Sequence, residues 1–301
     1  MKHAAWTQWE DLAVLPGIER LTPSNTPLDS ADLSKITFYV PTYMGGQRAL
    51  EYVKLMPNLK VLQVPNAGYE NAMQYLRPGL TLCNGRGIHD ASTAELAVGL
   101  TIASLRGFPT FVLSQNEATW NSSPFRSIND RKIGILGYGS IGKTIARILS
   151  GFDVEVIAFS RSGAEGSIKV EEFDKYLPTL DVVILILPLT DESRHFFDAR
   201  RCALLKDGAL LVNVARGEIV DTEALLAQLR TGRITAALDV TDPEPLPHDH
   251  PLWHEKGVFI TPHVGGNSSA FEPRARALIE SQLLRLASGQ PLENIVAEGG
   301  E

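Results

Sequence analysis

The chain has 301 residues, long enough for two folded domains, and its 44% hydrophobic and 21% charged content is that of an ordinary globular protein. A formal net charge of −7 leaves no basic excess to neutralise phosphates. That balance speaks against a nucleic-acid or membrane partner, but not against a small anionic substrate met by one or two local arginines. The two cysteines, Cys83 and Cys202, make no Cys-x-x-Cys pair or disulfide framework and read as small core residues. The opening MKHAAWTQWEDLAVLPG has acidic residues and no long apolar run, so no signal peptide is expected. No stretch approaches the ~20 apolar residues a bilayer needs. A cytoplasmic location is the simplest expectation.

The first 35 or so residues show only short apolar stretches. After them ITFYV (36–40), LKVLQV (59–64) and LTLC (80–83) read as buried strands, separated by the amphipathic GQRALEYVKLM (46–56) and by turn-rich segments. Strands alternating with helices predict a parallel sheet covered by helices on both faces. ASTAELAVGLTIASLR (91–106) predicts a long, largely apolar helix opened by a Ser/Thr cap with Glu95 following, and suits a connection between domains. Residues 115–131, polar and rich in Pro, Asn and Ser, predict an exposed connection.

From residue 132 the pattern is cleaner. KIGILG (132–137), VEVIAF (154–159), DVVILIL (181–187), ALLVNV (209–214), AALDV (236–240) and VFIT (258–261) are six short β-rich runs. IGKTIARILSG, VEEFDKYL, SRHFFDARRCALL and DTEALLAQLRTG lie between them as crossovers. Six such strands predict one doubly wound dinucleotide-binding domain. The helix at 272–289 is expected to return to the first domain. The expected architecture is therefore α/β: two doubly wound parallel-sheet domains, with a Rossmann domain (93–267) inserted into a flavodoxin-like substrate domain (1–92 plus 268–301).

Gly137-Tyr138-Gly139-Ser140-Ile141-Gly142 follows a predicted strand and opens a predicted helix. Gly137 permits the tight turn, Gly139 lets a pyrophosphate approach the backbone, and Gly142 lets helix and strand pack closely. About 20 residues on, an NAD-binding chain usually presents a carboxylate to the ribose 2′-hydroxyl. Here Ser160-Arg161-Ser162 stands instead, able to hydrogen-bond a 2′-phosphate, with Arg161 supplying the planar fork that suits it. NADP(H) is favoured over NAD(H). Three polar groups follow further on: Arg216 just past a strand, Glu244 between Pro243 and Pro245, and His263 after the last strand. In an open α/β sheet, ligands bind beyond the carboxyl ends of the strands, so all three can converge on one cleft. Reduction of a 2-keto acid needs a cation for the carboxylate, a proton donor for the carbonyl oxygen, and a group that keeps the donor charged. Arg, His and Glu fill these roles in turn.

NVARGEIVDTEAL, ALDVTDPEPLP and ITPHVGG, in that order behind GYGSIG, resemble the signature blocks of the D-isomer-specific 2-hydroxyacid dehydrogenases. The glyoxylate/hydroxypyruvate reductases and 3-phosphoglycerate dehydrogenase belong to that family. The resemblance runs from about residue 60 to 270. It implies that Arg216 binds substrate, that His263 is the acid/base, and that Glu244 is its partner. It also implies that the loop holding Asn66, Ala67, Gly68 and Tyr69 grips the substrate carboxylate through backbone N–H groups. Thr93 and the Leu187-Pro188-Leu189-Thr190 turn match cofactor-lining positions, and Val214, Ala215, Asp239 and Gly265 are counted with the cofactor site. No residue is assigned to a metal. The resemblance further implies a homodimer formed through the cofactor domain. The chain departs from most of the family in lacking an acidic residue at 160. A formate dehydrogenase would need Gln where Glu244 stands. The remaining alternatives are a 3-phosphoglycerate-dehydrogenase-like enzyme and a non-catalytic dinucleotide-sensing co-repressor. The co-repressors add disordered tails, which this chain does not show. The acid itself depends on side chains around Tyr43, Met44 and Tyr69, which no sequence pattern orients.

Overall fold

The computed structural model describes residues 3–300. They fall into two compact units: one from the N-terminus to His89 together with the stretch from Ser269 on, the other Asp90–Ser268.

In the first unit, His3–Trp6 (β1), Ile18–Leu21 (β2), Phe38–Tyr39 (β3), Val61–Gln63 (β4) and Thr81–Cys83 (β5) form a parallel sheet in the order β2-β1-β3-β4-β5. That is the flavodoxin-like order. A sixth strand, Ile295–Glu298, joins β5 antiparallel at the edge. β1, β2 and this last strand are not among the expected strands. The first two are four residues long, and IERL carries two charges at the sheet edge, so neither shows a sustained alternation. Gly46–Glu51 (α1) continues as a 3₁₀ turn through Leu55, as the amphipathic run at 46–56 predicts.

The C-terminal helix, Phe271–Ser288, packs on this unit through Phe271, Ala275, Ile279 and Leu283. Its fully buried Gln282 donates to Gln63 Oε1 (2.6 Å) and Glu293 O (2.8 Å), and accepts from Glu293 N (2.9 Å). Gln63, also fully buried, passes the chain on to Val64 O and Asn84 O. A buried amide is tolerated when each polar atom has a partner, as here.

In the second unit the helix at 91–106 begins earlier, at Asp90, and runs to Leu105 (α2). Ser92 and Thr93 therefore lie inside it. The Ser92 hydroxyl bonds Ser268 Oγ (2.6 Å), so the expected Ser/Thr cap is not formed. After Gly107, Phe108–Asn116 (α3) adds an unexpected helix with no buried residue. Lys132–Leu136 (β6), Ser140–Leu149 (α4), Glu155–Ser160 (β7), Ile168–Lys169 (β8), Phe173–Tyr176 (α5) and Val182–Leu185 (β9) follow. The rest is Ala199–Leu204 (α6), Leu210–Asn213 (β10), Thr222–Arg230 (α7), Thr235–Leu238 (β11) and Val258–Ile260 (β12). α6 takes up only the second half of the SRHFFDARRCALL crossover, because residues 191–195 form a turn, with His195 in the left-handed region (φ 50°), and Phe197 bridges to Val220.

The seven strands are parallel, in the order β8-β7-β6-β9-β10-β11-β12, which is the Rossmann winding with one edge strand beyond the six expected. Val183, Leu185 and Leu211 pack on one face, and Val182, Ile184 and Val212 on the other. Burial on both faces is why these strands read as unbroken apolar runs. Among the described residues, no single helix is long and apolar enough to cross a membrane.

The Gln282–Gln63 pair yields a stability prediction. Gln282→Leu strands Gln63 Oε1 and the Glu293 N–H without partners, which costs about 2–4 kcal/mol. Denaturant unfolding of the variant should show that loss. A change under about 0.5 kcal/mol would mean that the amide network does not hold the C-terminal helix to the first unit.

Candidate active site

Strand register aligns the carboxyl ends in one row, because Leu136 lies beside both Phe159 and Leu185. Asn213 lies beside Leu185 and Leu238, and Leu238 beside Ile260. The residues just past that row are Gly137, Ser160, Leu187, Val214–Arg216, Asp239 and Thr261–His263. The sequence-derived site residues of the second unit thus share one edge of its sheet, at the end where an open α/β sheet binds ligands.

The glycine turn has the form a dinucleotide needs. Gly137 adopts φ 110°, which a side chain would strain, and a Cβ at Gly142 would lie 2.1 Å from Gly137 O. A Cβ at the exposed Gly139 would meet nothing within 4 Å, so the approach to the N-terminus of α4 is open. Tyr138 and Ile141 are half-buried beside it, and Ser140 Oγ donates to Asp90 (3.2 Å). This cradle fits a pyrophosphate.

At the end of β7 the hydroxyls organise the next turn. Ser160 Oγ accepts from Gly163 N (3.0 Å) and pairs with Ser167 Oγ (2.7 Å), while Ser162 Oγ accepts from Ala164 N (3.2 Å). Glu165, the acid nearest in sequence, is paired with Lys143 of α4. Arg161 is exposed and makes no ion pair with any described residue. The turn after β9 is stapled by the buried Ser193, whose hydroxyl donates to Pro188 O (2.8 Å) and accepts from Thr190 N (2.7 Å). Leu187 is half-buried there, with Pro188 and Thr190 exposed.

Arg216 follows the buried Val214 and Ala215, half-buried, with Nη1 donating to Ala215 O (2.7 Å). Its own carbonyl accepts from Asn213 Nδ2 (2.9 Å), and Asn213 O accepts from Asp239 N (2.9 Å). Asp239, 2% exposed, is the hub of the site. Its carboxylate accepts from Thr261 Oγ1 (2.6 Å), Val264 N (2.9 Å) and Gly265 N (2.8 Å), and its carbonyl accepts from His263 N (2.7 Å). Thr93 of α2 reaches the same place, its methyl 3.4 Å from where a Cβ at Gly265 would sit. Sequence reasoning counts Asp239 with the cofactor residues; the structure shows it anchoring the loop that carries His263.

That anchoring matters because His263 sits at φ 51°, a left-handed conformation costing about 1–2 kcal/mol for a residue with a side chain. In it, Nδ1 lies 2.5 Å from Glu244 Oε1. Both side chains are a little under half exposed, so both reach solvent. The Glu244 hydrogen bond holds the imidazole above its ordinary value, against the cost of partial burial. The Glu244 and Asp239 charges add to the rise and Arg216 opposes it, so three charged groups act on the ring. Because the folded-state value is raised, the pair's contribution to stability is complete below the unfolded value of about 6.5. It is lost as pH rises through the folded value.

In the first unit the loop after β4 runs through the buried Val64 and Pro65 to the exposed Asn66 and the half-buried Ala67, Gly68 and Tyr69. Tyr69 precedes a 3₁₀ turn, Glu70–Tyr75, and packs on the unit's core.

A Rossmann sheet whose carboxyl edge carries an arginine and a carboxylate-bound histidine defines a nucleotide-dependent dehydrogenase. Residues 98–265 match the NAD-binding domain of the D-isomer specific 2-hydroxyacid dehydrogenases. The glyoxylate reductase of Thermococcus litoralis is 31% identical over 263 residues, 82% of this chain and 79% of that protein. A D-isomer specific 2-hydroxyacid dehydrogenase family protein from Aeromonas salmonicida superposes with a TM-score of 0.87 at 29% identity, over 99% of each chain. The NADPH-dependent glyoxylate/hydroxypyruvate reductase of Sinorhizobium meliloti, solved with NADP and sulfate, gives 0.79 at 26% identity, over 93% of this chain and 91% of that one. The chain spans about half the length of the D-3-phosphoglycerate dehydrogenases it matches. The protein belongs to the D-isomer-specific 2-hydroxyacid dehydrogenase family.

The Glu244 contact predicts a titration. The imidazole resonance of His263, followed by NMR, should have its midpoint above about 6.5. Glu244→Gln should move that midpoint down. Equal midpoints in the two proteins would show that no ion pair forms.

Proposed function

We propose that the protein is a reductase of a small 2-keto acid such as glyoxylate or hydroxypyruvate, prefers NADPH, and runs in reverse as a 2-hydroxyacid dehydrogenase. The 2.5 Å contact between His263 and Glu244 carries the reading. A carboxylate can only accept, so Nδ1 keeps its proton for Glu244, and Nε2 is left to exchange one with substrate. In reduction the imidazolium gives the Nε2 proton to the carbonyl oxygen. In oxidation the neutral ring takes the proton of the hydroxyl. A bound nicotinamide supplies or receives the hydride. Arg216, with its rigid fork of donors, takes the substrate carboxylate, and the Asn66–Tyr69 loop offers backbone N–H groups to the same class of anion. Gly137–Gly142 holds the pyrophosphate. The remaining cofactor residues line the same sheet edge, with Thr93 and Gly265 beside Asp239.

Ser160, Arg161 and Ser162 support NADPH. The turn has hydroxyls, a solvent-facing guanidinium and no carboxylate at its head, and its one acid is occupied by Lys143. The solved relatives that hold NADPH or NADP are in keeping with this.

We place the enzyme in the cytoplasm as a homodimer. The two buried, unbridged cysteines fit a reducing compartment, and burial holds both thiols protonated, with values pushed up to about 12. On the cofactor unit, α3 exposes Phe108, Val112 and Leu113, and Trp120 beyond it is 97% exposed, an apolar surface of the kind a second copy covers.

Steady-state reduction of glyoxylate and hydroxypyruvate with each cofactor tests the proposal. A charge-assisted hydrogen bond contributes about 1.5–3 kcal/mol, so Arg161→Ala should weaken NADPH about 10- to 100-fold and spare NADH. Equal losses for the two cofactors would sink the 2′-phosphate assignment. Absence of turnover with either acid would sink the substrate class.

A further inference from the structure

The loop after β4 is held by three consecutive carbonyls. Pro65 O accepts from His89 Nε2 (3.1 Å), Asn66 O from Gly85 N (2.7 Å) and Ala67 O from Asn84 Nδ2 (2.7 Å). All three donors come from the short segment between β5 and α2. Asn84 and His89 are 5% and 7% exposed, and a Cβ at Gly85 would lie 2.6 Å from Pro65 O. In a trans peptide the C=O of one residue and the N–H of the next point in opposite directions. Tying down the carbonyls of 65, 66 and 67 therefore turns the N–H groups of 66, 67 and 68 the other way. No described group of the protein accepts from any of those three N–H groups. Three such donors in succession are available to an anion, and each carbonyl anchor polarises the N–H across its own peptide.

We propose that His89 and Asn84 are positioning residues for carboxylate binding, acting through the Pro65 and Ala67 carbonyls to aim and polarise the Asn66, Ala67 and Gly68 N–H groups. This rests on the carboxylate role proposed for the loop.

The surroundings of His89 suit a fixed donor. A carbonyl only accepts, so Nε2 carries a proton. The ring stacks on Phe271 (5.4 Å, 9°) and lies 5.7 Å from Tyr43, which itself stacks on Phe271 at 3.7 Å. His89 is the last residue of the first unit before the chain leaves it, and Phe271 lies two residues beyond the start of the returning segment. Asn84 is fixed in turn: its carbonyl accepts from the buried Gln63 (2.9 Å) and its Oδ1 accepts from Arg86 N (3.3 Å). The amide that reaches Ala67 is therefore oriented by the same network that holds the C-terminal helix.

His89→Phe keeps the stacked ring and deletes the donor, whereas His89→Gln returns an N–H at similar reach. Asn84→Asp puts an acceptor against Ala67 O. With NADPH present, oxamate affinity and the KM for glyoxylate are measured beside kcat, NADPH affinity and Tm. Loss of one neutral hydrogen bond corresponds to about a 5- to 10-fold effect. His89→Phe and Asn84→Asp should weaken oxamate and raise KM by about that factor, leaving kcat and NADPH affinity within about twofold. His89→Gln should restore most of the loss. Unchanged oxamate affinity and KM in both variants would overturn the proposal. So would losses shared by NADPH or tracking a drop in Tm, since those mark a purely structural role. Failure of the wild-type enzyme to bind oxamate, with NADPH still bound, would instead overturn the carboxylate site itself and the anchors with it.

Discussion

The hydrogen bond between His263 and Glu244 is the constraint on which the rest of the site depends. Neither residue lies in regular structure, and His263 is held in a conformation that its side chain disfavours. Such a contact persists only if the chain on both sides is over-determined. Asp239 supplies that by gathering one hydroxyl and two backbone N–H groups into its carboxylate and the His263 N–H onto its carbonyl. A buried carboxylate with three donors is itself stable only as a complete set, so the strand end, the loop and the histidine form one unit of structure. The chemical result is an imidazole held above its ordinary value by Glu244, with Nδ1 committed to that carboxylate.

The same economy runs through the cofactor unit. Inside the row of strand ends almost every side chain is apolar and buried on one of two faces. Just beyond that row stand the polar Ser160, Asp239 and Thr261, and Arg216 follows the buried Val214 and Ala215. A Rossmann sheet thus separates the work: the strands supply stability, and the residues just past them supply chemistry without burying unpaired polar groups. The charge follows suit. The chain is acidic overall, yet the proposed anion sites draw on Arg161, Arg216 and backbone N–H groups, where one or two local cations outweigh the net charge.

How much of this is legible in the sequence follows from where the information lies. The doubly buried strands at 182–185 and 210–213 are continuous apolar runs, so periodicity alone finds them. β1, β2, β8 and the strand at 295–298 are short or lie at sheet edges, where pairing with neighbours, not local pattern, makes the strand. α3 has no buried residue, so no core-facing stripe marks it, and α2 opens at Asp90 because tertiary contacts claim Ser92. At the site, Arg216, Glu244 and His263 are legible because each sits beside a strand end or a proline that fixes its place. Asn84 and His89 are not: what they do depends on carbonyls some 20 residues back in the chain, a pairing only the folded first unit creates. The role of Asp239 as anchor is hidden for the same reason, since its partners come from the end of a different strand.

The central claim is that Glu244 keeps His263 protonated for reduction, and the pH dependence of kcat/KM for keto-acid reduction tests it most directly. Reduction needs the imidazolium, so wild-type activity should persist to a pH above about 6.5 and fall as the raised value is passed. Glu244→Gln retains the shape and removes the charge, so its alkaline limb should shift to lower pH while NADPH affinity is unchanged. Superimposable profiles for wild type and Glu244→Gln would contradict the account and reduce Glu244 to a structural loop carboxylate.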